Sequence, residues 1–289
     1  MSFQEVIKNV KPAVVGLGLL ADAQDPLSVV IQGTGFVVHP EGWIMTNRHV
    51  AELFLVERDG IFGVRNAIAR AVVFVETVRR LPGDTGQPVL HHGIVPCPIL
   101  EVAMPPIERD GGDLHYNMPP DLATCRIGTA SLDFLQNLPS LVLGDSSRVR
   151  EGDEIAICGF PLGLTLPQDE HVHQMTPIIQ KGIVAAILPW SGESNPHAFQ
   201  LDIQINPGSS GSPVFRPDTG EVVGVVFAFP QRSERVTAPG PRGEEEVATV
   251  RLPAGFGYAV PSNRYREQPP PITRLPDICH HDPRPQEEK

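Results

Sequence analysis

"GTGFVVHPEGWIMTNRHV", residues 33–50, reads as two short strands folded about a turn. The runs on either side of "HPEGW" (39–43) are β-branched or aromatic, and Pro40 and Gly42 stand where a tight turn needs them. The same texture recurs along the chain in "AVVGLGLL", "AVVFVETV", "DLATCRIG", "EIAICGF", "GIVAAIL", "FQLDIQI", "GEVVGVVFAF" and "GFGYAVP". A second turn signal, "RPDTGE" (216–221), separates two such runs. Helical periodicity is nearly confined to the first dozen residues, where Phe3, Val6, Ile7 and Val10 share one face of a short helix. Many short strands with irregular connections predict an all-β chain of barrels or sandwiches.

The 289 residues suffice for one large domain or two small ones. A net charge of -11 argues against nucleic acid or an anionic membrane as partner. No run approaches the ~18 apolar residues of a membrane span. The N-terminus lacks the basic start and apolar core of a signal peptide, so a cytoplasmic location is expected. Cys97, Cys125, Cys158 and Cys279 are far apart and form no CxxC pair, as in a reduced chain with buried thiols.

Three regions break the strand rhythm. Residues 79–96 and 104–120 are rich in Pro and Gly and mark an insert at about 79–118, and 230–253 is polar and charged. From about residue 264 a Pro-rich tail is expected to lie extended along the surface or to be disordered, with "PPP" (269–271) as a polyproline II segment. The histidines in "HH" (91–92), "EHVH" (170–173) and "CHH" (279–281) lack the spacing of metal ligands and read as loop residues. No metal or cofactor is expected.

Acyl transfer needs a nucleophile, a base, an acid that orients the base, and donors for the oxyanion. "TNRHVAEL" offers His49 at a strand end, "PPDLATCRI" offers Asp121 at a strand start, and "NPGSSGSPVF" offers Ser210 between Gly208 and Gly211. The intervals, 121 - 49 = 72 and 210 - 121 = 89 residues, mean that only the fold could join them.

On these segments the chain resembles the trypsin-like serine proteases, and more closely their HtrA/Deg branch, over roughly residues 3–263. "GTGFVVHPEGWIMTNRHV" is similar to that branch's G-[ST]-G-F hairpin running into T-N-x-H-V. "DLATCRI", "LGDSSRVREGDEIAICGFPLG", "GIVAAI", "INPGSSGSPV", "GEVVGVVFA" and "GFGYAVPSN" follow in the family's order. The resemblance implies two six-stranded antiparallel β-barrels of the chymotrypsin fold with a cleft between them. The protease domain would span 1–263, with the barrel boundary near 130–140, and the tail 264–289. It implies His49 as general base, Asp121 as its orienting carboxylate, Ser210 as nucleophile, and the N–H groups of Gly208 and Ser210 as the oxyanion hole.

Two loop positions depart from the family pattern: Ser209 stands where Asn or Asp is usual, and Ser212 where a second Gly is usual. Val50 replaces the cysteine that secreted trypsins carry after the catalytic His. By the resemblance, Gln204 lies at the base of the specificity pocket, so a Lys/Arg preference is not expected. Val226, Phe227, Ala228 and Phe229 would line the substrate channel and offer an edge to an extended peptide, favouring small or medium apolar P1 residues. After "YAVPSN", 289 - 263 = 26 residues remain, too few for the PDZ domain common in this branch. The expected partner is a protein or peptide substrate, with the tail open to a second copy or a regulatory partner. The other reading of the same fold is a latent or catalytically silent binding module.

Overall fold

Ser2 accepts from the Glu5 N–H and the Glu5 carboxylate accepts from the Ser2 N–H, a reciprocal cap that starts helix α1, Phe3–Val10, in the computed structural model. The structure describes residues 1–58, 61–79, 89–105, 120–128, 138–161, 176–228, 231–239 and 245–267. Val6 and Val10 are buried, and Val6 comes close to Gly220 in the 216–221 turn of the distant second barrel.

The first barrel contains β1 (Val14–Leu20), β2 (Val29–His39), β3 (Trp43–Thr46), β6 (Ala69–Arg79), β7 (Val89–Ala103) and β8 (Ala123–Ile127), closed in the order β1-β2-β3-β8-β7-β6. Between β3 and β6 lie helix α2 (Arg48–Glu52) and a small hairpin of β4 (Leu55–Arg58) with β5 (Ile61–Val64). The second barrel contains β9 (Glu154–Gly159), β10 (Ile178–Leu188), β11 (Ala198–Leu201), β12 (Pro213–Phe215), β13 (Val222–Ala228) and β16 (Gly257–Pro261), closed in the order β10-β11-β16-β13-β12-β9. All named pairings are antiparallel. Closure removes the free edges that short strands would otherwise expose.

Each barrel has its own interior. Val37, Ile44, Ala71, Ile99, Ala123 and Cys125 fill the first. Ile155, Ile157, Phe199, Leu201, Val214 and Val226 fill the second. A third apolar cluster joins them, with Phe36, Met45 and Val72 from one barrel against Ala156, Phe215 and Val225 from the other. Phe74 and Phe160 stack across this seam with ring centroids 5.1 Å apart. Each such buried side chain contributes at most about 1.5–3 kcal/mol, so the seam is a core in its own right and fixes one barrel against the other.

Where the structure describes them, parts of the regions expected to break the strand rhythm are strands. Residues 89–96 belong to β7, which pairs with β6 from Arg70↔Pro98 out to Arg79↔Val89. His91 and His92 therefore stand in a strand, opposite Thr77 and Glu76, rather than in a loop. The polar segment 230–253 is a hairpin of β14 (Gln231–Pro239) and β15 (Glu245–Pro253), inserted between β13 and β16. A two-stranded ribbon standing outside a barrel needs no continuous apolar face, which is why the composition hid β14 and β15. The tail expected from 264 begins instead as helix α3, Asn263–Glu267, with Tyr265 buried in the seam. The remainder of the tail, the 170–173 histidines and most of the 104–120 segment lie outside the described residues.

Candidate active site

The turn at 39–43, with Gly42 at φ +86°, reverses the chain into β3, and β3 delivers Asn47 and α2 to the barrel rim. His49 sits in the first turn of α2, one step beyond the strand end expected for it. Its ring Nδ1 lies 2.6 Å from Asp121 Oδ2, and its backbone N–H donates to Asp121 Oδ1 at 3.1 Å. Asn47 Nδ2 donates to the Asp121 carbonyl at 2.8 Å, so Asp121, two residues before β8, is held at both side chain and main chain. The His49 side chain is 47% exposed and that of Asp121 26%. An acceptor at Nδ1 assigns the ring proton to that nitrogen and leaves Nε2 as a lone-pair acceptor.

The 206–212 segment consists of two successive tight turns. Ser209 N–H donates to the Asn206 carbonyl at 3.1 Å, and Ser212 N–H donates to the Ser209 carbonyl at 3.0 Å. Gly208 and Gly211 occupy the third position of each turn, at φ +89° and +87°. With Pro207 second and a left-handed glycine third, the first is a type II turn, whose middle peptide is rotated by about half a revolution relative to type I. Among the described residues, the N–H groups of Gly208 and Ser210 donate to nothing. Gly211 admits no side chain: a Cβ there would lie 1.9 Å from the Thr34 carbonyl oxygen. The loop is further tied to β13, where Gly211 N–H donates to the Val226 carbonyl and Val226 N–H to the Ser212 carbonyl.

Gly33 brings the two halves together. A Cβ at Gly33 would lie 2.7 Å from a Val50 methyl and 3.4 Å from the Ser210 carbonyl, so the residue beside His49 and the loop of Ser210 flank one glycine. The Ser210 hydroxyl makes no hydrogen bond to the His49 ring. Sequence reasoning passed over Asn47 and Thr34. Both are fully buried polar residues inside quoted apolar segments, and that contrast was the available signal.

The specificity residues divide. Gln204 is exposed, and its carbonyl accepts from Gln180 Nε2 at 3.3 Å. Phe227 and Ala228 are half-buried, and Phe227 falls where the β13–β16 register shifts, its ring 6.3 Å from that of Tyr258. Val226 does not line a channel with its side chain, which strand alternation turns into the second barrel's interior. Phe229 lies outside the described residues. Among the described residues, no group of three or more His, Cys, Asp or Glu side chains could hold a metal ion.

The family profile for the trypsin-like peptidase domain matches residues 33–225, spanning the His49 hairpin, Asp121 and the Ser210 loop. The chain belongs to the trypsin-like peptidase family. It is 28% identical over 267 residues to the mitochondrial serine protease HTRA2 of Bos taurus, covering 91% of this chain and 41% of that protein. It is 27% identical over 221 residues to a probable periplasmic serine endoprotease, DegP-like, of Chlamydia pneumoniae, covering 73% of this chain and 32% of that protein. The chain thus spans less than half the length of these relatives. Among solved structures, the HtrA-type protease AlgW with tripeptide superposes with a TM-score of 0.50 at 19% identity, covering 92% of this chain and 62% of that one, a likeness of fold.

These names overturn the expected cytoplasmic location, since the relatives are called mitochondrial or periplasmic. The buried, unpaired thiols expected from the sequence are found at Cys97, Cys125 and Cys158, and they do not decide a compartment. Burial pushes Cys97 up to about 11, and Cys125 and Cys158 up to about 12. Buried, protonated and unpaired thiols are inert in an oxidising compartment as well as in a reducing one. No helix among the described residues is long and apolar enough to cross a membrane.

Proposed function

We propose that the chain is a serine endopeptidase in which Ser210 is the nucleophile, His49 the general base and Asp121 the carboxylate that orients it. The observation that carries this reading is the 2.6 Å contact of His49 Nδ1 with Asp121 Oδ2, on an element that shares Gly33 as neighbour with the Ser210 loop. With Nδ1–H bonded to Asp121, Nε2 is free to take the Ser210 proton as Oγ attacks the scissile carbonyl carbon. The carbonyl oxygen becomes an oxyanion that the Gly208 and Ser210 N–H groups would receive. Collapse breaks the C–N bond, the leaving amine takes the proton from His49, and the acyl-enzyme remains. Water then repeats the sequence, giving its proton to His49 and releasing the acid. The type II turn supports an active over a latent loop, because a type I turn would point the Gly208 N–H the opposite way.

The substrate proposed is an extended polypeptide with a small or medium apolar P1 residue. Gln204 brings no negative charge for Lys or Arg, and Phe227 narrows the approach. We extend to this chain the periplasmic setting of its bacterial relatives, which fractionation of the native host would check. A fluorophosphonate probe tests the catalytic assignment. Wild type is labelled and Ser210→Ala is not, and peptide hydrolysis falls by about 10⁵-fold or more in the variant. Equal hydrolysis by the two proteins would remove Ser210 from the mechanism.

A further inference from the structure

We infer that Thr34 is a positioning residue of the reaction, holding the two carbonyls that flank the nucleophile's turn so that the neighbouring N–H groups stay directed at the oxyanion site. The inference rests on the assignment of Ser210 as nucleophile. Thr34 lies on β2 of the first barrel and is fully buried. Its Oγ1 donates to the Gly208 carbonyl at 2.8 Å and accepts from the Phe160 N–H at 3.1 Å. Its backbone N–H donates to the Ser210 carbonyl at 2.7 Å, and its own carbonyl accepts from Thr46 Oγ1 at 2.7 Å. Three of these four bonds cross from one barrel to the other.

The chemistry of a hydroxyl gives the arrangement a direction. Oγ1 has one proton, and the Phe160 N–H already occupies it as an acceptor, so its donation to Gly208 is the bond the site allows. The Gly208 carbonyl belongs to the peptide whose nitrogen, on Ser209, closes the type II turn onto Asn206. Rotation of that turn toward type I would swing the Pro207–Gly208 peptide, which carries the Gly208 N–H, by changing the φ of Gly208. The Thr34 bond fixes the peptide on the other side of Gly208, and its loss would leave the Gly208 carbonyl buried without a partner. The Ser210 carbonyl is fixed by the same residue's N–H. One residue of the first barrel therefore holds the Gly208–Ser209 and Ser210–Gly211 peptides, which lie on either side of the Ser209–Ser210 peptide that carries the Ser210 N–H. Thr34 touches no substrate in this scheme and acts through the donors it orients.

The experiment uses the full chain with Thr34→Ser, which keeps the hydroxyl, and Thr34→Ala, which does not; the two differ only in that oxygen. Thr34→Val, equal in shape to threonine, replaces the alanine variant if the latter does not fold. Peptide hydrolysis and inhibition by a peptide boronate, whose tetrahedral adduct occupies the oxyanion site, are measured together. The serine variant is expected within about 3-fold of wild type. The alanine variant is expected to lose about 10- to 100-fold in kcat, with KM within about 2-fold, and to lose boronate affinity in parallel. Equal kcat and boronate affinity in the serine and alanine variants would overturn the inference, as would a loss confined to KM or to melting temperature. Fluorophosphonate labelling of wild type separates the two readings: without it the Ser210 assignment fails and this inference with it, whereas labelled wild type with equal serine and alanine variants sinks this inference alone.

Discussion

The two barrels bring different kinds of chemistry to the cleft. The first contributes side chains: the His49 ring and the Asp121 carboxylate meet on a rim where both are partly exposed. The second contributes, around the Ser210 hydroxyl, main chain: the 206–212 segment is buried at Gly208, Ser209, Gly211 and Ser212 and is shaped by peptide hydrogen bonds and two left-handed glycines. A side-chain pair can be altered by an isosteric change with the backbone intact. A backbone device resists most side-chain changes and breaks where a Cβ cannot fit. Substitutions on the two sides should therefore fail differently, one in rate alone and the other in rate and stability together.

Asp121→Asn gives the purest rate effect. The amide keeps the shape of the carboxylate and can still accept from the His49 N–H, but it no longer stabilises an imidazolium or enforces the Nδ1–H tautomer. The expected loss in kcat is about 10⁴-fold, with unfolding free energy within about 1 kcal/mol of wild type by urea titration. A destabilisation as large as that of a core mutation would show that the carboxylate serves the fold before it serves the ring.

Gly211→Ala is the counterpart on the main-chain side. The new Cβ would meet the Thr34 carbonyl oxygen at 1.9 Å and Thr46 Oγ1 at 2.4 Å, at a φ of +87°. Left-handed backbone and overpacking together cost about 3 kcal/mol. Activity is expected to fall by at least about 100-fold alongside, because relief of the clash moves the Ser210 peptide. Urea midpoint and hydrolysis rate should move together. A variant of unchanged stability and low activity would mean that the loop yields without strain, and the contrast between the barrels would weaken.

The sequence disclosed the side-chain device more readily than the main-chain one. His49, Asp121 and Ser210 are residue types whose chemistry is visible in a letter, and the strands around them carry β-branched runs that any buried sheet demands. The glycines at 208 and 211 were visible as turn residues, but the tandem turns depend on hydrogen bonds that no letter encodes. Thr34 was hidden for the same reason: a threonine in a strand is ordinary until its hydroxyl is found between two barrels. The strands at 89–96 and 231–253 were missed because "VLHHGIVP" and the charged 231–253 segment show no apolar alternation, and their pairing is a matter of register. Tyr265 was missed because one aromatic in a polar, Pro-rich stretch has no periodicity, although it packs into the seam.

Ser209 probes the same contrast at its smallest. It is 1% exposed, and its hydroxyl has no hydrogen-bond partner among the described residues, although it adjoins Ser210, the proposed nucleophile. A buried hydroxyl without a partner retains its desolvation cost of about 1–3 kcal/mol and contributes no bond in return. Its backbone, by contrast, is used at both ends, donating to Asn206 and accepting from Ser212. Ser209→Ala removes the unsatisfied oxygen and keeps both peptide bonds. The expected outcome is unchanged or slightly raised stability, by up to about 1 kcal/mol, with kcat/KM within about 3-fold of wild type. Thermal melting and steady-state hydrolysis on one preparation would check it. A loss of more than about 1 kcal/mol would mean that the side chain anchors the loop, as an Asn or Asp could at this position, and that the main chain does not hold the turn unaided.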